Sequence, residues 1–83
     1  MKMEIIKKGD IINTVEGFLV VNGFNGHIVT VQEHTMDYAE NEDGSLNYDD
    51  SIEKVKKRYL TLNEIALMMR ENDGFNHKVV WEG

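Results

Sequence analysis

The apolar residues of this chain occur in short runs that glycine-containing turn signals interrupt, and this pattern favours short strands joined by tight turns. The chain has 83 residues, with seven glycines and no proline. Its longest apolar runs, at residues 18–21 and 65–69, are far shorter than the about 20 residues that cross a bilayer. A chain of this length builds one modest core, so we expect a single domain over residues 1–83.

The first half of the chain predicts three strands joined by turns. β-prone runs between glycine-containing breaks give strands over residues 11–15, 18–21 and 27–33. Of the two Asn-Gly pairs that precede the third strand, Asn25-Gly26 is favoured as a two-residue hairpin turn. This register predicts a core face made of four side chains: Phe18, Val20, Val29 and Val31.

The clearest element is a helix from Leu62 to about residue 72. Thr61 and Glu64 have the spacing of a capping box, and Gly74 predicts the end of the helix. Helical spacing gives one apolar stripe, formed by Leu62, Ile65, Ala66 and Met69. A strand over residues 76–82 follows, with two apolar side chains on one face, Val79 and Trp81.

Short antiparallel strands with tight turns and one late helix resemble small SH3-like barrels. The resemblance rests on the start at residues 8–12, the break at Gly17 and the strand at residues 28–32. It implies an α+β fold, a small antiparallel, partly open β-barrel of about five strands with one helix before the last strand. A ubiquitin-like β-grasp or another α+β roll also remains open.

Residues 37–53 carry seven of the fifteen acidic residues and no Lys or Arg. Asp43-Gly44 is a hairpin signal within this segment, and a turn centred there sets Tyr38 opposite Asp49. The segment is therefore either an acidic hairpin or a mobile loop, and it either maintains solubility or binds a basic protein. For the second interpretation we name eight residues: Asp37, Tyr38, Glu40, Glu42, Asp43, Tyr48, Asp49 and Asp50.

In size, acidity and lack of cysteine the chain is similar to small phage-encoded inhibitors of host nucleases, of the anti-CRISPR and anti-restriction type; its formal net charge is −6. The resemblance implies carboxylates that imitate DNA phosphates and occupy the basic surface of a nucleic-acid-binding protein. We expect a non-enzymatic protein-binding module in the cytoplasm, because nothing in the chain indicates an oxidising compartment or a membrane segment. A homodimer is left open, because an exposed patch at Leu67 and Met68 is either a dimer seam or a partner site.

The alternative is a small nucleic-acid-binding barrel that uses the strand predicted at residues 55–60 and its flank. Basic and aromatic side chains of the kind that line such grooves are Lys54, Lys56, Lys57, Arg58 and Tyr59. The adjacent acidic segment repels phosphates, so nucleic acid is the less favoured partner. Lysines at these positions are also typical of an edge strand, where their charge discourages edge-to-edge association with the sheet of another molecule.

No catalytic or metal-binding motif competes with these interpretations. An EF-hand alignment on Gly44 puts Ala39 at position 1, where a carboxylate is needed. The three histidines, His27, His34 and His77, lack the spacing of metal ligands. The paired carboxylates fall in the most polar part of the chain, where both members are solvated. We therefore expect no enzymatic activity, no cofactor and no metal.

Overall fold

The computed structural model describes residues 1–82, which contain six strands and one helix. In chain order the elements are β1 Lys2–Ile6, β2 Ile11–Asn13, β3 Gly17–Asn25, β4 Ile28–Glu40, β5 Leu46–Thr61, α1 Leu62–Asp73 and β6 His77–Trp81. Strands β2 to β5 form an antiparallel sheet in sequence order, and β1 pairs in parallel with β6 in a second sheet. The molecule is mostly sheet with one helix, in agreement with the predicted α+β class.

The antiparallel sheet has four strands and is open, not closed, within residues 1–82. The last strand, β6, lies beside β1 and is not part of the antiparallel sheet. The pattern of turns did not predict β1, because parallel strands that are distant in sequence are not joined by a tight turn. The prediction of one helix before the last strand is confirmed.

The β3–β4 hairpin differs in register from the predicted one. Its turn is Gly26-His27, one position later than predicted, and Gly26 has the φ of 68° that this turn requires. Asn22 is an extra residue in a bulge of β3. The resulting one-residue shift moves the β3 side chains before the bulge, at residues 17–21, to the other face, so the predicted core positions of Phe18 and Val20 are wrong. The buried side chains of this hairpin are Leu19, Val21, Val29 and Val31.

Helix α1 and the β1–β6 pair pack on the same face of the antiparallel sheet. Nine buried side chains form the core: Ile6, Ile12, Leu19, Val21, Val29, Val31, Leu60, Ile65 and Val79. Ile65 is the helix residue that is fully buried, which stabilises the fold by about 1.5–3 kcal/mol. The rest of the predicted helix stripe is partly buried against this core. Met68 is packed there as well, so the exposed patch predicted at Leu67 and Met68 is reduced to Leu67.

Both ends of α1 match the sequence prediction. The Glu64 backbone N–H donates to Thr61 Oγ1 at 3.1 Å, and the Thr61 backbone N–H donates to Glu64 Oε1 at 3.1 Å. These two bonds complete the capping box, which satisfies two donors that the first helical turn leaves unpaired. The backbone N–H of Gly74 donates to the Arg70 carbonyl oxygen and ends the helix.

The hairpin of β4 and β5 extends beyond the other strands. β3 begins at Gly17, opposite Thr35, and beyond that point β4 pairs with β5 alone. The molecule is consequently elongated, with principal extents of 49 × 25 × 15 Å. The acidic segment, residues 37–53, lies wholly in this two-stranded part.

The close approach of β3 to β4 at Gly17 generates a testable prediction. A Cβ atom added there would overlap the backbone oxygen of His34, which cannot move without disrupting the β3–β4 pairing. We expect Gly17→Ala to lower the free energy of unfolding by about 3 kcal/mol in urea denaturation. Gly23→Ala is the matched control, because a Cβ there meets no heavy atom within 4 Å. Equal losses in the two variants would contradict this explanation.

Candidate protein-binding surface

The end of the β4–β5 hairpin is a loop, residues 41–45, that backbone and side-chain hydrogen bonds close. The Asn41 backbone N–H donates to the Ser45 carbonyl at 2.8 Å, and the Gly44 N–H donates to the Asn41 carbonyl at 3.0 Å. Asp43 Oδ1 accepts bonds from the Ser45 hydroxyl at 2.6 Å and from the Ser45 N–H at 3.0 Å. These bonds, the hydroxyl bond foremost, hold the pKa of the Asp43 carboxyl below its ordinary value. The loop thus keeps an ionised carboxylate at its apex.

A bulge in β5 places two tyrosines against each other just below this loop. Tyr38 pairs with Ser51, whereas the next residue of β4 pairs with Asn47, so β5 has extra residues at 48–50. Asn47 Oδ1 accepts a hydrogen bond from the Asp49 N–H at 3.1 Å, a local turn that bends the strand here. The predicted pairing of Tyr38 with Asp49 is therefore wrong. The Tyr38 and Tyr48 rings meet edge to face, with their centroids 5.0 Å apart.

The acidic residues at the base of the extension are paired with basic groups. Asp37 forms an ion pair with Lys54 of the facing strand. Glu53 Oε1 lies 2.7 Å from Nδ1 of His34, and the His34 ring stacks on Phe18 with centroids 4.5 Å apart. These contacts join β4 to β5 next to the point where β3 begins. Asp37 is thus a structural residue of the hairpin as well as a member of the predicted surface.

Beyond the base, residues 38–50 carry five carboxylates and no Lys or Arg, which gives a formal charge of −5. We call this segment the acidic tip. None of its carboxylates forms an ion pair within the described residues. Seven of the eight residues predicted for protein binding lie in it: Tyr38, Glu40, Glu42, Asp43, Tyr48, Asp49 and Asp50. The structure therefore brings these residues into one projecting element.

The structure does not bring the five residues of the alternative basic site onto one surface. Alternation along β5 directs Lys57 and Tyr59 to the uncovered face of the sheet, where Lys57 Nζ lies 5.7 Å from the centroid of the Tyr59 ring. The other three point to the opposite face, the one that carries Leu60 of the core: Lys54, Lys56 and Arg58. Two of these three have ion-pair partners. Lys54 pairs with Asp37, and Nη1 of Arg58 lies 2.7 Å from Oε2 of Glu33.

Sequence reasoning missed a polar cluster around the buried side chain of His77. The side chain of His77 is only 3% exposed, and its Nε2 lies 2.7 Å from Oδ2 of Asp73. Its Nδ1 lies 3.2 Å from Oε1 of Glu4 but has no hydrogen-bond partner among the described residues. The Asp73–His77 spacing across a helix end was the available signal, but Glu4 is remote in sequence.

This cluster lines a cavity of about 300 Å³ between the two sheets and the end of α1, which Asp10 and Asn13 also line. Within residues 1–82, no group of three or more His, Cys, Asp or Glu side chains has an arrangement that could hold a metal ion. No helix in the described range is long and apolar enough to cross a membrane. Comparisons with protein-family models, with curated proteins and with solved structures find no match for this chain.

The Asp73–His77 contact generates a pH-dependent prediction. Asp73 is the last residue of α1, where the helix dipole disfavours a negative charge, and the bond from His77 is the main cause of a lowered pKa of its carboxyl. A carboxyl with a lowered pKa in the folded state stabilises the fold above its ordinary value, near 3.8, and loses this contribution as the pH falls through the folded-state pKa. We therefore expect Asp73→Asn to be less stable than wild type at pH 7, with the difference shrinking below about pH 3.8.

Thermal denaturation between pH 2 and pH 7 measures this difference. Glu71→Gln is the control for the loss of one charge on the same helix, because Glu71 forms no ion pair within the described residues. A stability difference between Asp73→Asn and wild type that stayed constant down to pH 2 would show that the Asp73 carboxylate has no such role.

Proposed function

We propose that this chain is a non-enzymatic protein-binding module that presents the acidic tip to a basic protein. The observation that carries the proposal is the uncompensated charge of −5 on residues 38–50, at the end of an arm with cross-strand ion pairs at its base. A solvated loop that served solubility alone would not need a defined arm. Exposed carboxylates at a projecting position are suited to a first, long-range contact with a cationic surface.

The two tyrosines of the acidic tip support a role in binding. The Tyr48 side chain is 70% exposed although its ring contacts that of Tyr38, so the pair presents apolar surface next to the carboxylates. Aromatic side chains with a polar end are frequent in the energetically important centre of protein interfaces. A partner would thus bury the rings while its basic residues approach the surrounding carboxylates.

The more specific form of the proposal is an inhibitor of phage or mobile-element type that acts in the cytoplasm. Its target would be a nuclease or another nucleic-acid-binding protein, whose basic groove is already suited to a row of phosphates. The carboxylates of the acidic tip would occupy that groove in place of DNA. For the scaffold, we propose a relationship to SH3-like modules, which share an antiparallel sheet and a helix before the last strand.

A small nucleic-acid-binding module is the second candidate, and one observation favours it. The uncovered face of the sheet carries Lys57 beside Tyr59 and the stacked rings of Phe18 and His34, a combination that can stack on bases. A gel shift with single- and double-stranded DNA at about 50 mM salt tests it, because phosphate contacts are strongest at low salt. No shift by the wild type, or an equal shift by Lys57→Gln/Tyr59→Ala, would remove this candidate.

The acidic tip is tested by two triple variants of equal net charge. Glu42→Gln/Asp49→Asn/Asp50→Asn neutralises the tip and spares Asp43, whose carboxylate holds the loop together. Three charge contacts of about 0.5 kcal/mol each correspond to about a tenfold loss of affinity, and additional salt should weaken wild-type binding similarly. The measurement is capture from the lysate of the native host at about 50 mM and 500 mM salt, with the captured protein then purified for titration.

The matched control is Glu16→Gln/Glu71→Gln/Glu82→Gln, which also lowers the net charge from −6 to −3 but leaves the acidic tip intact. We expect this variant to bind like the wild type. Equal weakening by both triple variants would mean that only the overall charge matters, and unchanged binding by the tip variant would overturn the proposal.

A further inference from the structure

Strand β5 is the edge of the antiparallel sheet, and its outer side is unpaired. Within residues 1–82 it pairs only with β4. It is sixteen residues long, and its residues from Asp49 to Arg58 are almost all exposed. An edge of this length leaves a row of backbone N–H and C=O groups available to another strand. The side chains along this edge determine which strand can pair with it.

The charges along this edge are divided into two halves of opposite sign. Residues 49–53 contain three carboxylates and no basic residue, whereas residues 54–58 contain four basic residues and no carboxylate. In a parallel, in-register pairing of two copies, each half would lie beside its own kind, and directly opposed like charges destabilise a sheet. In an antiparallel pairing, the acidic half of one copy lies beside the basic half of the other. The edge is therefore complementary to itself in one orientation.

A two-fold axis perpendicular to the sheet relates two antiparallel copies of one strand. This axis lies between the two strands and can be level with one residue, which then faces the same residue of the second copy. With the axis at Glu53, Ser51 lies opposite Val55 of the second copy, and the bulged Asp50 and Asp49 come next to Lys56 and Lys57 of the second copy. Symmetry repeats both pairs, which gives four opposite-charge pairs in a closed interface. The two Glu53 side chains form the one directly opposed like-charge pair, and each lies 2.7 Å from Nδ1 of His34 in its own copy.

We propose that a second copy of this chain pairs antiparallel with the outer edge of β5 and makes a two-fold symmetric dimer. The backbone bonds lie in the regular part of the strand around residues 51–55, and the bulged residues 48–50 contribute charge. Ile52 and Val55, which are 60% and 54% exposed, are partly shielded from water in the dimer. So short an interface with so many surface charges dissociates as salt is added.

This dimer does not depend on the proposed binding function, and it competes with it in part. Self-pairing engages Asp49 and Asp50 and leaves the rest of the acidic tip, including Glu40 and Glu42, accessible. A basic partner that needs all of the tip carboxylates would bind the monomer. Dimerisation at high concentration would then lower the amount of chain that can bind the partner.

The test is a charge exchange measured by sedimentation equilibrium at about 50 mM salt. Asp49→Lys/Asp50→Lys makes the edge entirely basic apart from Glu53, and Lys56→Glu/Lys57→Glu makes it predominantly acidic. We expect the wild type to be a dimer that dissociates at about 500 mM salt. Each double variant alone should self-associate at least about tenfold more weakly, because two pairs on each side become repulsive. An equimolar mixture of the two variants should recover a dimer, now as a heterodimer.

Recovery in the mixture excludes misfolding as the cause of the losses, because both variants must be folded to pair; circular dichroism checks each one separately. A wild type that stays monomeric at millimolar concentration in low salt would overturn the proposal. So would dimers of either double variant alone that are as tight as the wild type, or a mixture of folded variants that does not associate. Lys56→Glu/Lys57→Glu leaves the acidic tip intact, so its capture of a basic partner without self-association would separate the dimer from the proposed binding function.

Discussion

The structure depends on one constraint: the core covers only one face of the antiparallel sheet, and only at one end of it. Helix α1 and the β1–β6 pair pack where Leu19, Val31 and Leu60 lie, and there the sheet loses its contact with water. A chain of this length cannot cover the remainder. The other end of the β4–β5 hairpin therefore has to be stable without a core, by strand pairing, ion pairs and one pair of tyrosine rings. It is also where charge is best tolerated, because water still solvates the carboxylates.

The charge asymmetry of the molecule is more local than the net charge suggests. Along the hairpin, acidic side chains of β4 and basic side chains of β5 compensate each other across the strands, at Glu33 with Arg58 and at Asp37 with Lys54. Each surface pair contributes at most about 1 kcal/mol, but together they favour this pairing of the two strands. Compensation ends beyond the base of the arm. The residual field of the protein is consequently concentrated at its narrowest part, where a partner can approach from several directions.

Local signals in the sequence predicted the local structures well. The helix is specified by Thr61, Glu64 and Gly74, all of which act through bonds to neighbours within a few residues, and its position was predicted to within a residue. The core face of β3 was mispredicted because one bulged residue, Asn22, reverses the alternation, and two Asn-Gly pairs offered competing turns. Parallel pairing of β1 with β6 had no local signal at all.

The acidic tip was identified from composition, since a run of carboxylates without a basic residue is visible in any sequence. The sequence did not predict that the acidic residues at the base of the arm are paired while those of the acidic tip are not. This difference depends on which residues of β5 face Asp37 and His34. The Glu4–His77–Asp73 cluster was missed for a similar reason: it joins three elements, and no fixed spacing relates them. Contacts that depend on register or on distant strands are the ones that sequence patterns do not specify.

The parallel pairing of β1 with β6 has a consequence for the order of folding. Lys2 lies beside His77 and Ile6 beside Trp81, so among the six described strands the first to be synthesised pairs with the last. While the chain is being made, the β3–β4 hairpin and α1 can form from neighbouring residues, but Ile6 has no β6 to pair with until translation passes residue 81. Contacts between such distant segments also slow folding, because the long intervening loop must close first. Completion of the core therefore waits for β6, and a chain synthesised only as far as α1 leaves Ile6 without its partner strand.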